Sequence, residues 1–200
     1  VRVDQEGKVT VLSGASPHGQ GHATAWTQIA SGILQIPPEE ITVIHGDTAV
    51  VPRGFGTYGS RSASLAGNSV AGNAETVRDR ARAIAAHLLE AAVADVTLAD
   101  GKFHVVGSPG VAVTWREIAQ AAYSDQVPED LRGELKGETD FKSARETYPF
   151  GTHVAVVEID PTTGAIEIRR YVTVDDCGHV INPLLVEGQV HGGIVQGLGQ

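Results

Sequence analysis

Two hundred residues, 42% hydrophobic and 20% charged, can bury a sizeable core, which excludes a wholly disordered chain. Fifteen basic against twenty-four acidic residues leave a net charge of −9, a surface that repels phosphate backbones and anionic lipid. Nucleic-acid partners and membrane insertion are therefore set aside, and no apolar run reaches the ~18 residues of a bilayer span. A single cysteine makes no internal disulfide and fits a reducing, cytoplasmic compartment. Methionine is absent, even at position 1, which reads as a piece excised from a longer chain. Many of the 24 glycines fall in three clusters, the placement expected where backbone approaches something closely.

Taken in chain order, Val1 to Leu12 alternates around Gln5-Glu6-Gly7 and reads as a β-hairpin. Gly14 to Gly21 is a loop, and Ala23 to Leu34 a helix ended by Pro37-Pro38. Ile41 to Ile44 is a short strand, followed by an irregular Gly/Thr/Ser-rich segment to Ser62. The apolar stripe Leu65, Val70, Val77, Ile84, Leu88 predicts one long helix from about 63 to 96. Thr97 to Val106 is a hairpin turned by Asp100-Gly101, and Thr114 with Glu117 makes a capping box for a helix to Tyr123. Residues 125–148 read as irregular and polar. Thr152 to Ile159 and Ala165 to Val174 form a second hairpin, and a helix runs from Pro183 to the end. The fold class expected is α+β, with β-hairpins and a mixed sheet packed against helices, and residues 1–200 as one fragment.

Chemistry concentrates in three places. Gly19-Gln20-Gly21-His22 opens a helix, where unpaired amides and the helix dipole favour an anion. An ordinary loop explains the same residues. His18 and His22 stand four apart, but no glutamate follows the first, so no metal ligand is assigned. Gly54-Phe55-Gly56-Thr57-Tyr58-Gly59-Ser60-Arg61-Ser62 matches G-x-G-x-x-G in form, yet the strand that a dinucleotide fingerprint requires ends about ten residues earlier. Hydroxyls, a guanidinium and amides at a helix start still suit a phosphate or a polyhydroxylated ligand. Asp175-Asp176-Cys177-Gly178-His179 leads through Ile181 and Asn182, the natural N-cap before Pro183, to Glu187-Gly188-Gln189-Val190-His191-Gly192-Gly193. Cys177, beside two carboxylates, reads as a small polar group rather than a nucleophile. Two rivals stay open: a stand-alone nucleotide- or phosphate-binding module, and a hydrolase using a serine with His22 or His191, although no G-x-S-x-G elbow occurs.

In this order, and with I-T-V-I-H-G-D-T at Ile41 to Thr48, these stretches resemble the molybdenum-binding subunit of the xanthine dehydrogenase/aldehyde oxidase family. Within that family the resemblance is nearest to the bacterial carbon monoxide dehydrogenase large subunits. It implies a domain that wraps molybdopterin with molybdenum, often as the cytosine dinucleotide. By position, the cofactor contacts implied are Gln20, Gly21, His22, Thr57, Tyr58, Ser60, Ser62, Asp176, Cys177, Ile181, Asn182 and Gln189. Ala23 and His179 depart from residues common in relatives. The family's catalytic glutamate belongs to a downstream Gly-rich motif, so no catalytic residue is assigned within these positions. The complete enzyme would take carbon monoxide, an aldehyde, a purine or an N-heterocycle as its small-molecule substrate. Its electrons would leave through iron–sulfur clusters and FAD in partner subunits or domains.

Overall fold

Valines at alternate positions set the first sheet: β1 (Arg2–Val3) and β2 (Val9–Ser13) bury Val3, Val9, Val11 and Ser13. The computed structural model describes residues 1–200, in two units, Val1–Ala144 and Arg145–Gln200. The expected first hairpin is present. Its turn is held by the Asp4 carboxylate, which accepts from the amides of Glu6 and Lys8 at 3.0 and 2.9 Å.

Helix α1 (His22–Leu34) buries His22, Trp26, Ala30 and Leu34, spaced four apart on one stripe. It is the crossover that a parallel pair requires, because β3 (Ile41–His45) then lies parallel to β2, from Val9 opposite Ile41 to Ser13 opposite His45. A π turn, Ala63–Gly67, leads into α2 (Asn68–Leu88). Gly67 is where α1 and α2 touch: a Cβ there would stand 3.1 Å from the Trp26 ring. Leu34 and Ile84 are fully buried, each contributing roughly 2 kcal/mol of apolar transfer.

The long helix ends eight residues before the expected 96. Glu90 takes a left-handed conformation (φ 51°), and the amides of Glu90 and Ala91 bond back to His87 and Ala86 at 3.2 and 2.9 Å. That is a Schellman cap with glutamate where glycine is usual, so the sequence carries no stop signal.

β4 (Val96–Ala99) and β5 (Lys102–Val105) form the expected hairpin, with Asp100 and Gly101 both at positive φ. A third strand not foreseen, β6 (Ser108–Thr114), pairs with β5. The Thr114 hydroxyl caps α3 (Trp115–Ala121), accepting from the Glu117 amide at 3.3 Å while Glu117 accepts from the Thr114 amide at 2.7 Å. Within 125–148 the chain makes a 3-10 turn at Glu129–Leu131 and a short strand, β7 (Leu135–Lys136), beside β1. The first sheet is therefore mixed, in the order β3-β2-β1-β7. The α+β reading holds.

In the second unit, β8 (Phe150–Ile159) and β9 (Ile166–Asp176) pair antiparallel, and α4 (Pro183–Leu198) follows. Both expected elements are present with ends within two residues.

Candidate functional site

In the first unit the site begins where β2 runs out. Gly19 and Gly21 sit at φ 102° and 73°, a region that a side chain resists. Gly21 is the N-cap of α1, and no side chain caps the helix. Its first amides are left to water or to an anion, and the dipole favours the anion. Gln20 folds its carboxamide back, accepting from the His18 amide.

His22 is 95% buried, its ring tilted over Trp26 at 5.1 Å. The His22 Nδ1 and the Trp26 Nε1 are buried without a hydrogen-bond partner. Burial pushes the His22 pKa below the ordinary imidazole value; the Ala15 backbone opposes this, and His45 and His18 reinforce it. The ring is therefore neutral at neutral pH and has one ring nitrogen to offer.

The second loop is fastened to the first. The Gly56 amide bonds to the Gly14 carbonyl at 3.3 Å. A Cβ on Gly14 would lie 2.5 Å from the Arg53 carbonyl oxygen, and one on Gly54 2.5 Å from that of Gly14. These two glycines clear each other's backbone, whereas the clustered glycines were expected to clear a ligand. Gly19, Gly56 and Gly59 do have open space where a side chain would be. Gly14 and Gly54 were not among the expected site residues, and only a long-range contact reveals their part.

Beyond the crossing, the Arg61 guanidinium lies 3.9 Å above the Tyr58 ring, and the Ser62 hydroxyl donates to Thr57 Oγ1 at 3.2 Å. Ser60 is held at φ 51° and is exposed, as is Tyr58. Thr57, Ser62 and Arg61 are half-buried, immediately before the π turn. Such turns often occur at functional positions.

In the second unit, the Asp176 carboxylate accepts from the Gly178 amide at 2.8 Å, with Gly178 at φ 76°. Cys177 is exposed between them. Asn182 caps α4 as expected, its Oδ1 accepting from the Leu185 amide at 3.0 Å, with Pro183 in the first turn. Ile181 and Asn182 are half-buried, while Gln189 is exposed on the helix. A cleft of about 520 Å³ lies elsewhere in the first unit, among Gly7, Gln35, Gly101 and Trp115, and holds none of the expected site residues.

The molybdopterin cofactor-binding domain family matches this chain over residues 1–200. The chain is 41% identical, over 98% of its length, to the carbon monoxide dehydrogenase large chain of Hydrogenophaga pseudoflava, covering 24% of that protein. It is 38% identical over its whole length to the nicotine 6-hydroxylase large subunit of Paenarthrobacter nicotinovorans, covering 25% of it. Among solved structures, quinoline 2-oxidoreductase from Pseudomonas putida 86 superposes with a TM-score of 0.90 at 38% identity, over 100% of this chain and 25% of that one. The chain thus spans about a quarter of the length of the relatives it matches. On this match across all 200 residues, the chain belongs to the molybdopterin cofactor-binding domain family.

Proposed function

We propose that this chain is a cofactor-holding lobe of a molybdenum hydroxylase, with molybdopterin cytosine dinucleotide as its ligand. The observation that carries the reading is the start of α1. There an uncapped helix, a glycine turn with open space and a buried imidazole nitrogen without a partner occur together. The amides there can donate to the anionic part of a large, flat group, and the neutral imidazole's free nitrogen can accept from one of its N–H groups.

In this reading Gln20, Gly21 and His22 meet the pterin end, where His22 serves as a neutral hydrogen-bonding group. Thr57, Tyr58, Ser60 and Ser62 present hydroxyls to the phosphates. Asp176, Cys177, Ile181, Asn182 and Gln189 hold the dinucleotide, with the amides of their turn as phosphate donors. The cofactor, when bound, supplies redox chemistry for hydroxylating an electron-poor carbon. The protein's own residues orient and desolvate it, and none of the twelve acts as a catalytic base. The whole enzyme takes a small molecule, with carbon monoxide, aldehydes, purines and N-heterocycles as the candidate classes. Iron–sulfur and flavin subunits or domains accept its electrons in the cytoplasm.

Purifying the chain from a host that makes the cofactor, and assaying molybdenum, phosphate and cytidine, tests this. We expect all three to co-purify, and to fall together in Gln20→Ala and Ser60→Ala variants. Binding of cytidine diphosphate alone as tightly as the complete cofactor would instead favour a plain nucleotide-binding module.

A further inference from the structure

One side of the β8–β9 hairpin carries a polar cluster that the site reading does not use. Across the two strands His153 lies opposite Thr173, Gly151 opposite Asp175 and Ala155 opposite Tyr171. His153 reaches both diagonal neighbours. Its Nδ1 is 3.0 Å from the Tyr171 hydroxyl and its Nε2 3.1 Å from Asp175 Oδ1, with the Tyr171 ring edge-on at 5.8 Å. The Thr173 hydroxyl donates to the other Asp175 oxygen.

An ionised carboxylate only accepts, so Nε2 carries the ring proton and Nδ1 accepts from the Tyr171 hydroxyl. The small residues on β8 are part of the arrangement: a Cβ on Gly151 would stand 2.5 Å from Asp175 Oδ1. The two hydrogen bonds, from Thr173 first and His153 second, hold the Asp175 carboxyl below the usual carboxylate range.

Register is weakly specified in this hairpin, because large apolar residues are exposed along both strands. A one-residue slip of β9 would turn Asp175 away and bring Asp176 to the His153 side. The hairpin also contains a bulge between Val156 and Val157, where no residue of β8 lies opposite Arg169. Only one pairing gives His153 a tyrosine, a threonine and an aspartate together. In that pairing Asp176 faces the other way and is free to accept from the Gly178 amide.

We propose that His153, Tyr171, Thr173 and Asp175 form a register lock that positions Asp176 and, through it, the Asp176–Asn182 turn. These four are positioning residues rather than ligand contacts. Their functional meaning rests on the reading of that turn as a phosphate cradle.

Amide hydrogen exchange on the full chain tests the lock without any ligand. His153→Ala and Asp175→Asn should speed exchange of Gly178 and of the strand ends at 150–155 and 171–176 by about tenfold. Amides of the β2–β3 pair should stay unchanged, reporting that the rest of the chain is folded. Thr173→Ser should exchange like the wild type and Thr173→Val should not, since only the former keeps the hydroxyl. Unchanged exchange at Gly178 in both His153→Ala and Asp175→Asn, or equal damage from Thr173→Ser and Thr173→Val, overturns the proposal. A parallel titration of the wild type with cytidine diphosphate keeps the two readings apart. If the variants loosen the turn but the wild type binds no nucleotide, the lock stands and the phosphate reading falls.

Discussion

Gly14 and Gly54 cross backbone to backbone, so close that a methyl on Gly54 would lie 2.5 Å from the Gly14 carbonyl oxygen. This contact brings the Gly54–Ser62 loop to the end of β2. Neither glycine has a flexible side chain opposite it that could yield. Gly14→Ala or Gly54→Ala should therefore force the loops apart and cost about 1–3 kcal/mol by urea denaturation. The same variants should weaken cofactor retention more than Gly72→Ala on the exposed side of α2, whose Cβ would meet nothing within 4 Å.

His22 makes stability depend on pH in a stated direction. Burial depresses its pKa in the fold below the unfolded value of 6.5, so the fold favours the neutral ring. As pH falls through 6.5, the unfolded chain takes up a proton that the native chain refuses. This contribution to stability is complete above that pH and is lost below it, until the native ring also titrates. The slope is at most about 1.4 kcal/mol per pH unit. Urea melts at pH 7.5 and 5.5 should show a smaller loss for His22→Gln than for wild type; equal losses would contradict the assignment.

Asn182 has a capping role and a proposed ligand role, and two substitutions separate them. Asn182→Ala removes the acceptor for the Leu185 amide and should cost about 1 kcal/mol of helix stability. Asn182→Asp keeps the cap, yet sets a negative charge against phosphate. Circular dichroism should show α4 intact in the aspartate variant while cytidine nucleotide binding drops at least tenfold.

Glu90 is an engineering target. A left-handed φ of 51° costs a side-chain-bearing residue roughly 1–2 kcal/mol, partly offset by glycine's larger unfolded-state entropy. Glu90→Gly should raise stability by about 0.5–1 kcal/mol, read as a higher urea midpoint with an unchanged slope.

What the sequence made legible follows a physical line. Asp100-Gly101, the Thr114/Glu117 box and Asn182-Pro183 are local devices whose chemistry is complete within a few residues, and the structure contains all three. The parallel pairing of β2 with β3 and the docking of β7 on β1 depend on partners far along the chain, with no local signature. β6 was hidden because Pro109-Gly110 at an edge strand resembles a loop. At the site, Gly21 and Asn182 were readable as helix starts. The orphaned Nδ1 of His22 was not, since its burial comes from the packing of α1 as a whole.

The most direct measurement is a heteronuclear NMR titration of the full chain with molybdopterin cytosine dinucleotide. The account predicts that the amides of His22–Thr24, Gly56–Ser62 and Gly178–Asn182 shift together and saturate at one equivalent. Saturable binding that leaves those amides in place and moves Gly7, Gly101 and Trp115 at the other cleft would contradict it.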